Sequence, residues 1–448
     1  MRKTNQFLLA GIAGVQILAA GAALASGYGL REHSAKAMGA AYAGASASGS
    51  DASFLFYNPA SLSMVENSDF SLSGVGILPT SSASYSNAVT SAGNPTGGDA
   101  TPSNFIETAL VPAAAARVRL TPNLAWGVTV NVPWGLSTSY DPSWAGRYYG
   151  LTSKLQTANI MSALSYEITP MFALAAGIQA QYAKGRLSSA VDIGTIGAGS
   201  LIPGSIPGAQ DGRANYTGDD WGFGFTLGAI ANLSEDFTIG ASFRSEIRHT
   251  FEGPLTFALD SDGIGATINL VTGLFADTRA TANLTTPAKA SFGARVGVSD
   301  RVTALFEVDW TNWNAFKEFR VIAVNPSQPP DITTANWKDS WMAALGFEFM
   351  ASEDWTLRFG AAYDGSPTPK NFREPRIPDN DRIWLSTGAT YKGWQNTEVS
   401  LAFGYLFIAD APVNLNAGSP ENALRGNLSG RTDSAVTVIG LQFVQRIP

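Results

Sequence analysis

One feature of this chain restricts its fold more than any other: from residue 69 onward, apolar side chains recur at every second position. The segment 124–132, LAWGVTVNV, places Leu124, Trp126 and Val128 on one side of an extended strand and Thr129 on the other. A period of two is typical of strands with one apolar face. After residue 25 no apolar run reaches the ~20 residues of a membrane-spanning helix, so a membrane-spanning form of the chain must be built of strands.

Fourteen segments share this alternation. They lie at residues 69–80, 106–120, 124–133, 155–168, 171–184, 221–233, 236–251, 279–298, 301–316, 337–350, 354–364, 382–391, 397–408 and 434–446. Their connections alternate between tight turns, such as TPN at 121 and SED at 234, and long loops. This pattern is typical of an antiparallel barrel whose two ends face different compartments. The sequence therefore predicts an all-β fold, a 14-stranded antiparallel transmembrane β-barrel over residues 69–448.

Composition favours the barrel over the alternative of a soluble β-sandwich. Only 15% of the residues are charged, against roughly 25% in soluble globular proteins. Fourteen apolar stripes with the charges on the opposite face would be unusual for a sandwich. The same alternation predicts that Arg248 points into the barrel and that His249 points outward. The inward direction of Arg248 agrees with the cost of a basic side chain on the lipid face, about 2 to 4 kcal/mol.

The N-terminus has the form of a secretory signal peptide. Arg2 and Lys3 precede an apolar run over residues 7–24, and the run ends in the small-x-small sequence ALA. We therefore expect residues 1–25 to be removed, and the mature chain to reach the bacterial outer membrane with both termini in the periplasm. The net charge of −7 argues against nucleic acid as a partner, and the lack of cysteine excludes disulfides.

Residues 26–68 do not alternate and are rich in Gly, Ala and Ser. Since a barrel of this size encloses more volume than its own side chains fill, we expect this segment to lie in the lumen as a plug, or hatch, of short helices. Asn58 is a good N-cap and Pro59 is tolerated at the first helical position, so Asn58, Pro59 and Ala60 predict a short helical turn over PASLSM. A disordered leader is the alternative, but the preceding FLFY is too apolar for one.

Enzymatic chemistry is not expected. The chain has only two histidines, His33 and His249, and no GxSxG, HExxH, GxGxxG or P-loop pattern. We therefore predict a protein that is not an enzyme and has no catalytic residue, no cofactor and no metal.

Several motifs in this sequence resemble one known family, the FadL family of outer-membrane transporters for long-chain fatty acids and other hydrophobic compounds. The resemblance covers nearly all of the mature chain. It is carried by Gly39, Tyr42, Ala43 and Gly44, by the NPA motif at 58–60, by VPWGLSTSYDPSWAG, by SFRSEIRHTFEG at 242–253, by WTNWNAF at 310–316, by WKDSW at 337–341 and by YDGSPTPKNFREPRIPDNDRIWLSTGATY at 363–391. The last run is the most specific.

The resemblance implies passive uptake of an apolar substrate through a groove on the outer loops, a site above the hatch and a lateral gap in the wall. The apolar loops at 191–208 and 255–277 are candidates for the groove; the alternative is that they only cover the barrel mouth. In the third strand, Pro133 removes a hydrogen-bond donor and Gly135 permits a bend, which predicts a local failure of pairing; a simple strand end is the alternative. The family places its gap-forming strand here.

A fatty carboxylate inside the barrel needs a cationic partner, because an unpaired buried charge is costly. The family pattern implies Lys184 and Lys338 as partners, with Arg186 and Arg244 in reserve. An aromatic hydrocarbon, the substrate of one branch of the family, needs no such partner. A hydrophilic diffusion porin is the remaining alternative and predicts an open lumen with polar constriction loops. We expect a monomer surrounded by outer-membrane lipid and lipopolysaccharide.

Overall fold

The computed structural model of this chain describes residues 26–64 and 67–447, so the predicted signal peptide lies outside the described residues. The strands in chain order are β1 (Ser68–Val89), β2 (Ala109–Thr121), β3 (Leu124–Asn131), β4 (Gly135–Ser139), β5 (Thr152–Thr169), β6 (Phe172–Asp192), β7 (Asp211–Ser234), β8 (Phe237–Arg244), β9 (Ile247–Ala258), β10 (Thr278–Thr286), β11 (Lys289–Ser299), β12 (Val302–Thr311), β13 (Glu318–Ala323), β14 (Asp331–Thr334), β15 (Ser340–Met350), β16 (Trp355–Asp364), β17 (Arg382–Trp394), β18 (Thr397–Ile408), β19 (Ala411–Leu415) and β20 (Asn427–Ile447).

These segments form one closed barrel. β1 pairs with β2 on one side and with β20 on the other, and both pairings are antiparallel. Six strands of the wall are interrupted and are therefore described as two segments each; these are β3/β4, β8/β9, β10/β11, β12/β13, β14/β15 and β18/β19. The predicted 14-stranded antiparallel barrel is confirmed.

The tight turns lie where the sequence predicts them, while the strands are longer than predicted at the opposite end. β2 and β3 are joined across 121–124, and β7 and β8 across 234–237. At the loop end, β1 continues to Val89, and β20 begins at Asn427. Beyond the apolar band of the wall, outward and inward positions can both be polar, so the ladder continues where the alternation ends.

The predicted orientation of Arg248 and His249 is wrong. Arg248 points outward with 82% of its side chain exposed, whereas His249 is buried with its ring 3.3 Å from the amide of Gln181. The cause is the interruption at 245–246. Ser242 in β8 points inward to the hatch, so inward positions are even-numbered before the break and odd-numbered after it. A shift of one residue moves every following side chain to the other face.

The helices are short and occur in the plug segment and the loops. The described helices are α1 (Ala35–Met38), α2 (Ile193–Gly199) and α3 (Ile264–Thr272), with 3-10 turns at Ala45–Ala47, Ala52–Phe56, Pro59–Met64, Trp313–Ala315, Lys370–Phe372 and Pro420–Asn422. Among the described residues no helix is long and apolar enough to cross a membrane.

Residues 26–64, here called the hatch, lie inside the barrel and are buried almost throughout. Asn58 joins the hatch to the wall. Its Nδ2 donates to the carbonyls of Ser46 at 2.6 Å and of Ala229 in β7 at 3.0 Å, and its Oδ1 accepts the N–H of Ala60 at 2.9 Å. Pro59–Met64 follows as a helical turn, so the Asn side chain caps the turn and fixes its position against the wall.

Ion pairs hold the hatch near the tight-turn end of the barrel. Lys36 Nζ lies 2.6 Å from Asp51 Oδ2 and 2.8 Å from Glu398 Oε2 in β18. All three side chains are buried. Glu398 is also paired with Arg446, whose Nη2 lies 2.6 Å from Glu398 Oε1. A buried charge is tolerated only when it is paired, so removal of Lys36 would leave Asp51 without compensation.

Candidate functional site

An apolar cavity of about 100 Å³ lies between the hatch and the outer loops. It is called the inner cavity below. Its apolar lining includes Tyr28, Leu136, Leu155, Leu187, Phe251, Leu284, Phe316, Phe319, Trp337 and Ile377. Apolar walls with a few polar groups are typical of small-molecule sites, in which the polar groups fix the orientation of the ligand.

Aromatic side chains form the floor of the inner cavity. The ring of Tyr28, from the hatch, lies 4.7 Å from that of Trp313, 5.7 Å from those of Phe316 and Trp337, and 5.9 Å from that of Trp134. Aromatic pairs of this kind contribute about 0.5 to 1.5 kcal/mol each beyond the area they bury. Because these contacts are apolar, an apolar ligand can replace them.

Three charged side chains also line the inner cavity: Lys154, Glu374 and Arg376. Lys154 Nζ is neutralised by Glu107, whose Oε2 lies 2.6 Å away. Glu374 Oε1 lies 3.6 Å from Arg425 Nη1, while its Oε2 has no hydrogen-bond partner in the described part of the chain. Burial raises the pKa of Glu374 and lowers the pKa of Arg376. The cavity therefore offers a largely apolar volume with a small charged cluster at one side.

A larger groove of about 880 Å³ lies among the outer loops. Two of the predicted apolar loops meet there, since Ile193 at the start of α2 packs with Ile264 and Ile268 of α3 in one buried cluster. The groove and the inner cavity share lining residues, among them Leu187, Thr334 and Arg376. The two volumes are therefore neighbours, separated only by these side chains.

The barrel wall is incompletely paired at the third strand. β3 pairs with β2 from Thr121↔Leu124 to Ala114↔Val130, whereas β4 pairs along its length with β5 and meets the segment before β2 only at the bridge Ile106↔Thr138. The upper part of β2 therefore has β1 as its only ladder partner. The break between β3 and β4 comprises residues 132–134, so Pro133 lies within it and Gly135 begins β4. On the outer surface beside it lies an apolar groove of about 660 Å³.

The hatch supplies the hydrogen bonds that β2 does not make at this break. Leu30 N–H donates to the carbonyl of Pro133 at 2.8 Å, and Gly135 N–H donates to the carbonyl of Tyr28 at 2.9 Å. Gly29 therefore lies opposite Trp134 as an antiparallel bridge. The same five-residue end of the hatch, 26–30, forms the aromatic floor and covers the gap from inside.

None of the four predicted carboxylate partners lines the inner cavity. Lys184 and Arg186 are exposed on β6, and Lys338 is exposed in the loop before β15. Arg244 lies inside the barrel, but its guanidinium already donates to Gln179 Oε1 at 2.8 Å and to the carbonyl of Phe56 at 2.7 Å. This placement gives no support to the first three as luminal partners.

The charged residues that do line the inner cavity were not singled out from the sequence. Glu374 and Arg376 lie in the loop 365–381, within the run that carries the most specific resemblance, but that loop has no periodicity from which its path could be read. Thr138 Oγ1 donates to the carbonyl of Arg376 at 3.0 Å, and Tyr140 O–H donates to that of Pro375 at 2.8 Å. These bonds fold the loop over the barrel mouth.

Known proteins resemble this chain over almost its full length. The model of the family described as outer membrane protein transport protein (OMPP1/FadL/TodX) matches residues 16–446. The long-chain fatty acid transport protein of Escherichia coli K12 is 27% identical over 414 residues, covering 88% of this chain and 90% of that protein. A Pseudomonas aeruginosa FadL homologue has a TM-score of 0.84 at 24% identity, covering 94% and 99% of the two chains. The toluene transporter TodX of Pseudomonas putida has a TM-score of 0.67 at 15% identity, covering 94% and 99%.

Proposed function

Since the chain belongs to the OMPP1/FadL/TodX family of outer-membrane transport proteins, we propose that it takes up long-chain fatty acids by lateral release into the membrane. The fatty acid is captured in the outer groove and passes Leu187 and Thr334 into the inner cavity. It leaves through the gap between β2 and β4 when residues 26–30 of the hatch move. The chain acts as a monomer with both termini in the periplasm.

One observation supports lateral release above all others. The hatch end that closes the floor of the inner cavity is the same segment that pairs with Pro133 and Gly135 at the wall gap. A ligand that displaces Tyr28 from its aromatic contacts therefore also weakens the cover over the gap. The apolar groove outside the gap receives the acyl chain as it leaves.

The choice between a fatty acid and an aromatic hydrocarbon depends on charge. An aromatic hydrocarbon would need only the apolar lining, whereas Arg376 at the edge of the inner cavity suits a carboxylate. The relatives named long-chain fatty acid transport protein point to the same substrate class. A hydrophilic porin is not favoured, because the hatch and the aromatic floor occupy the lumen of the described structure.

We also propose that Asn58, Pro59 and Ala60 set the position of the hatch. The Asn58 side chain is the link between this turn and the carbonyl of Ala229 in the wall. A small movement of the turn would shift the rest of the hatch, including residues 26–30. If Asn58→Ala and Pro59→Ala leave uptake unchanged in a normally assembled barrel, the motif is only the start of a helical turn.

Uptake measured in vesicles tests the proposal. The wild-type barrel is given a labelled long-chain fatty acid, toluene and a small sugar in separate experiments. We expect saturable uptake of the fatty acid, weaker uptake of toluene and no uptake of the sugar. Uptake of the sugar without either apolar compound would contradict the transport proposal, and uptake of toluene alone would assign the chain to hydrocarbon transport.

A further inference from the structure

Arg376 is the one charged residue that lines both the inner cavity and the outer groove. It is 8% exposed, and its backbone is fixed by the hydrogen bond from Thr138. Its guanidinium therefore lies at the passage from one volume to the other.

Among the described residues no carboxylate forms a direct ion pair with Arg376; burial lowers its pKa, and the charges of Glu374 and Asp331 offset this only in part, from a greater distance. Its Nη1 donates to the carbonyls of Thr152 and Ser188, both at 3.3 Å, and to Ser153 Oγ at 3.0 Å, all of which are uncharged. In the described ranges no carboxylate oxygen lies within 4.0 Å of it, and its Nε and Nη2 make no hydrogen bond. A buried charge without a partner is costly, so this arrangement is expected where a ligand supplies the opposite charge.

The neighbouring ionic groups are already satisfied or held away. Lys154 is paired with Glu107 at 2.6 Å. Arg425 binds Asp331 and lies 3.6 Å from Glu374, so both carboxylates make their direct ion pairs with Arg425. Arg376 is thus the cation at these two cavities that remains available to a new carboxylate.

We propose that Arg376 anchors the carboxylate of the fatty acid in both cavities, so that the head group stays bound while the acyl chain moves from the outer groove into the inner cavity. This inference rests on the proposed function and names the residue that gives it acid specificity. The planar guanidinium suits a carboxylate, because it can donate two parallel hydrogen bonds. A single anchor for two cavities also sets the number of fatty acids that one barrel can hold.

Binding of a fatty acid and of its methyl ester to the purified barrel tests the anchor. With Arg376→Gln we expect the fatty acid to bind roughly 10- to 100-fold more weakly, since the charged hydrogen bonds are lost. The ester should bind within about twofold of its wild-type affinity. Arg376→Lys should restore part of the acid affinity, because lysine supplies the positive charge but not the two parallel hydrogen bonds of the guanidinium. Arg248→Gln, on the exposed outer side of β9, is the matched control and should change the binding of neither ligand.

The outcomes separate the anchor from the transport proposal. Unchanged acid binding in Arg376→Gln, or an equal loss for acid and ester in a variant that still assembles, would overturn the anchor. Failure of the wild type to bind or transport acid and ester alike would instead overturn the proposed function. Assembly is checked by heat-modifiable gel migration of each variant.

Stoichiometry tests the shared use of the anchor. One guanidinium for two cavities predicts that one fatty acid binds tightly to each wild-type barrel, whereas the uncharged ester, which has no need of the anchor, fills both volumes. Two fatty acids bound with similar affinity would show independent sites and contradict the shared anchor.

Discussion

The two ends of the hatch are held by different forces. Near the tight turns, Lys36 is buried between Asp51 and Glu398, and Arg446 pairs with the second oxygen of Glu398. At the other end, residues 26–30 have no charged side chain and are held by aromatic contacts, by two backbone hydrogen bonds and by the Ser26 hydroxyl, which donates to the carbonyl of Gly365 at 2.9 Å. Breaking a buried ion pair costs about 3 to 5 kcal/mol, whereas an apolar ligand can replace aromatic contacts. The hatch therefore combines a fixed base, the ion pairs of Lys36, with a displaceable end, residues 26–30, which the substrate can move.

The largest effect is expected when the positive charge of Lys36 is removed from the base of the hatch. Lys36→Met leaves Asp51 buried without its cation and leaves Glu398 with Arg446 alone, so we expect the free energy of unfolding to fall by about 3 to 5 kcal/mol. A loosened hatch should also let a small sugar through, which liposome swelling detects. Arg248→Gln, on the exposed outer side of β9, is the control and should change stability by less than about 1 kcal/mol. Equal effects of the two substitutions would contradict the role of the base.

The next-largest loss of stability is expected when the link between the hatch and the wall at Asn58 is removed. Asn58→Ala removes the hydrogen bonds to Ser46 and Ala229 and leaves the Ala60 N–H without its cap. We expect a loss of about 2 kcal/mol in urea unfolding. Pro59→Ala keeps these bonds and should cost less. A loss for Pro59→Ala as large as that for Asn58→Ala would show that the turn, and not the amide, holds the hatch.

Low pH should weaken the ion pair between Lys36 and Asp51 but not the aromatic contacts of residues 26–30. Burial alone would raise the pKa of Asp51, but the charge and hydrogen bond of Lys36 and the bonds from Ser53 outweigh it and lower the pKa to about 2. A lowered pKa gives stability above the unfolded value of 3.8 that is lost as the pH falls toward 2, here about 2 kcal/mol. Unfolding followed from pH 5 to about 2 should show this loss in the wild type and a flatter profile in Asp51→Asn. Parallel profiles would show that Asp51 does not carry the effect.

The smallest effects on stability are expected at the displaceable end. Tyr28→Phe removes only a long hydrogen bond, 3.4 Å from the hydroxyl to the carbonyl of Thr285, and should leave both stability and uptake close to wild type. Tyr28→Ala removes the aromatic contacts as well and should weaken fatty-acid binding while release becomes faster. Rapid-mixing measurements of binding and release distinguish the two. Slower release in Tyr28→Ala would contradict the role of Tyr28 in the floor of the inner cavity.

Features of the fold could be predicted from the sequence when they depend only on neighbouring residues. The tight turns and the break at Pro133 follow from local chemistry, since alternation and a missing donor act within a few residues. The phase of β9 could not be read, because the interruption at 245–246 leaves no mark in the pattern. The inward position of His249 is set by the pairing of β9 with β10 and not by its neighbours in sequence.

The ionic groups at the inner cavity were beyond sequence reasoning for a related reason. Arg376 reaches both cavities only because the loop 365–381 folds back over the mouth and bonds to Thr138 and Tyr140. Lys184 and Arg186, by contrast, follow the strand and end on its outer face, so a motif match could not decide their direction. Contacts between distant loops set the polar part of the site, whereas periodicity set the wall.

Locking the displaceable end to the wall tests the central claim most directly. Gly29 and Trp134 are opposite each other in the bridge over the gap, and the chain has no cysteine of its own, so Gly29→Cys with Trp134→Cys introduces a single disulfide at that point. We predict that the oxidised double variant still binds the fatty acid but does not transport it, and that a reducing agent restores transport to the level of the Trp134→Cys single variant. Transport by the oxidised barrel at the rate of its reduced form would contradict release through the wall gap.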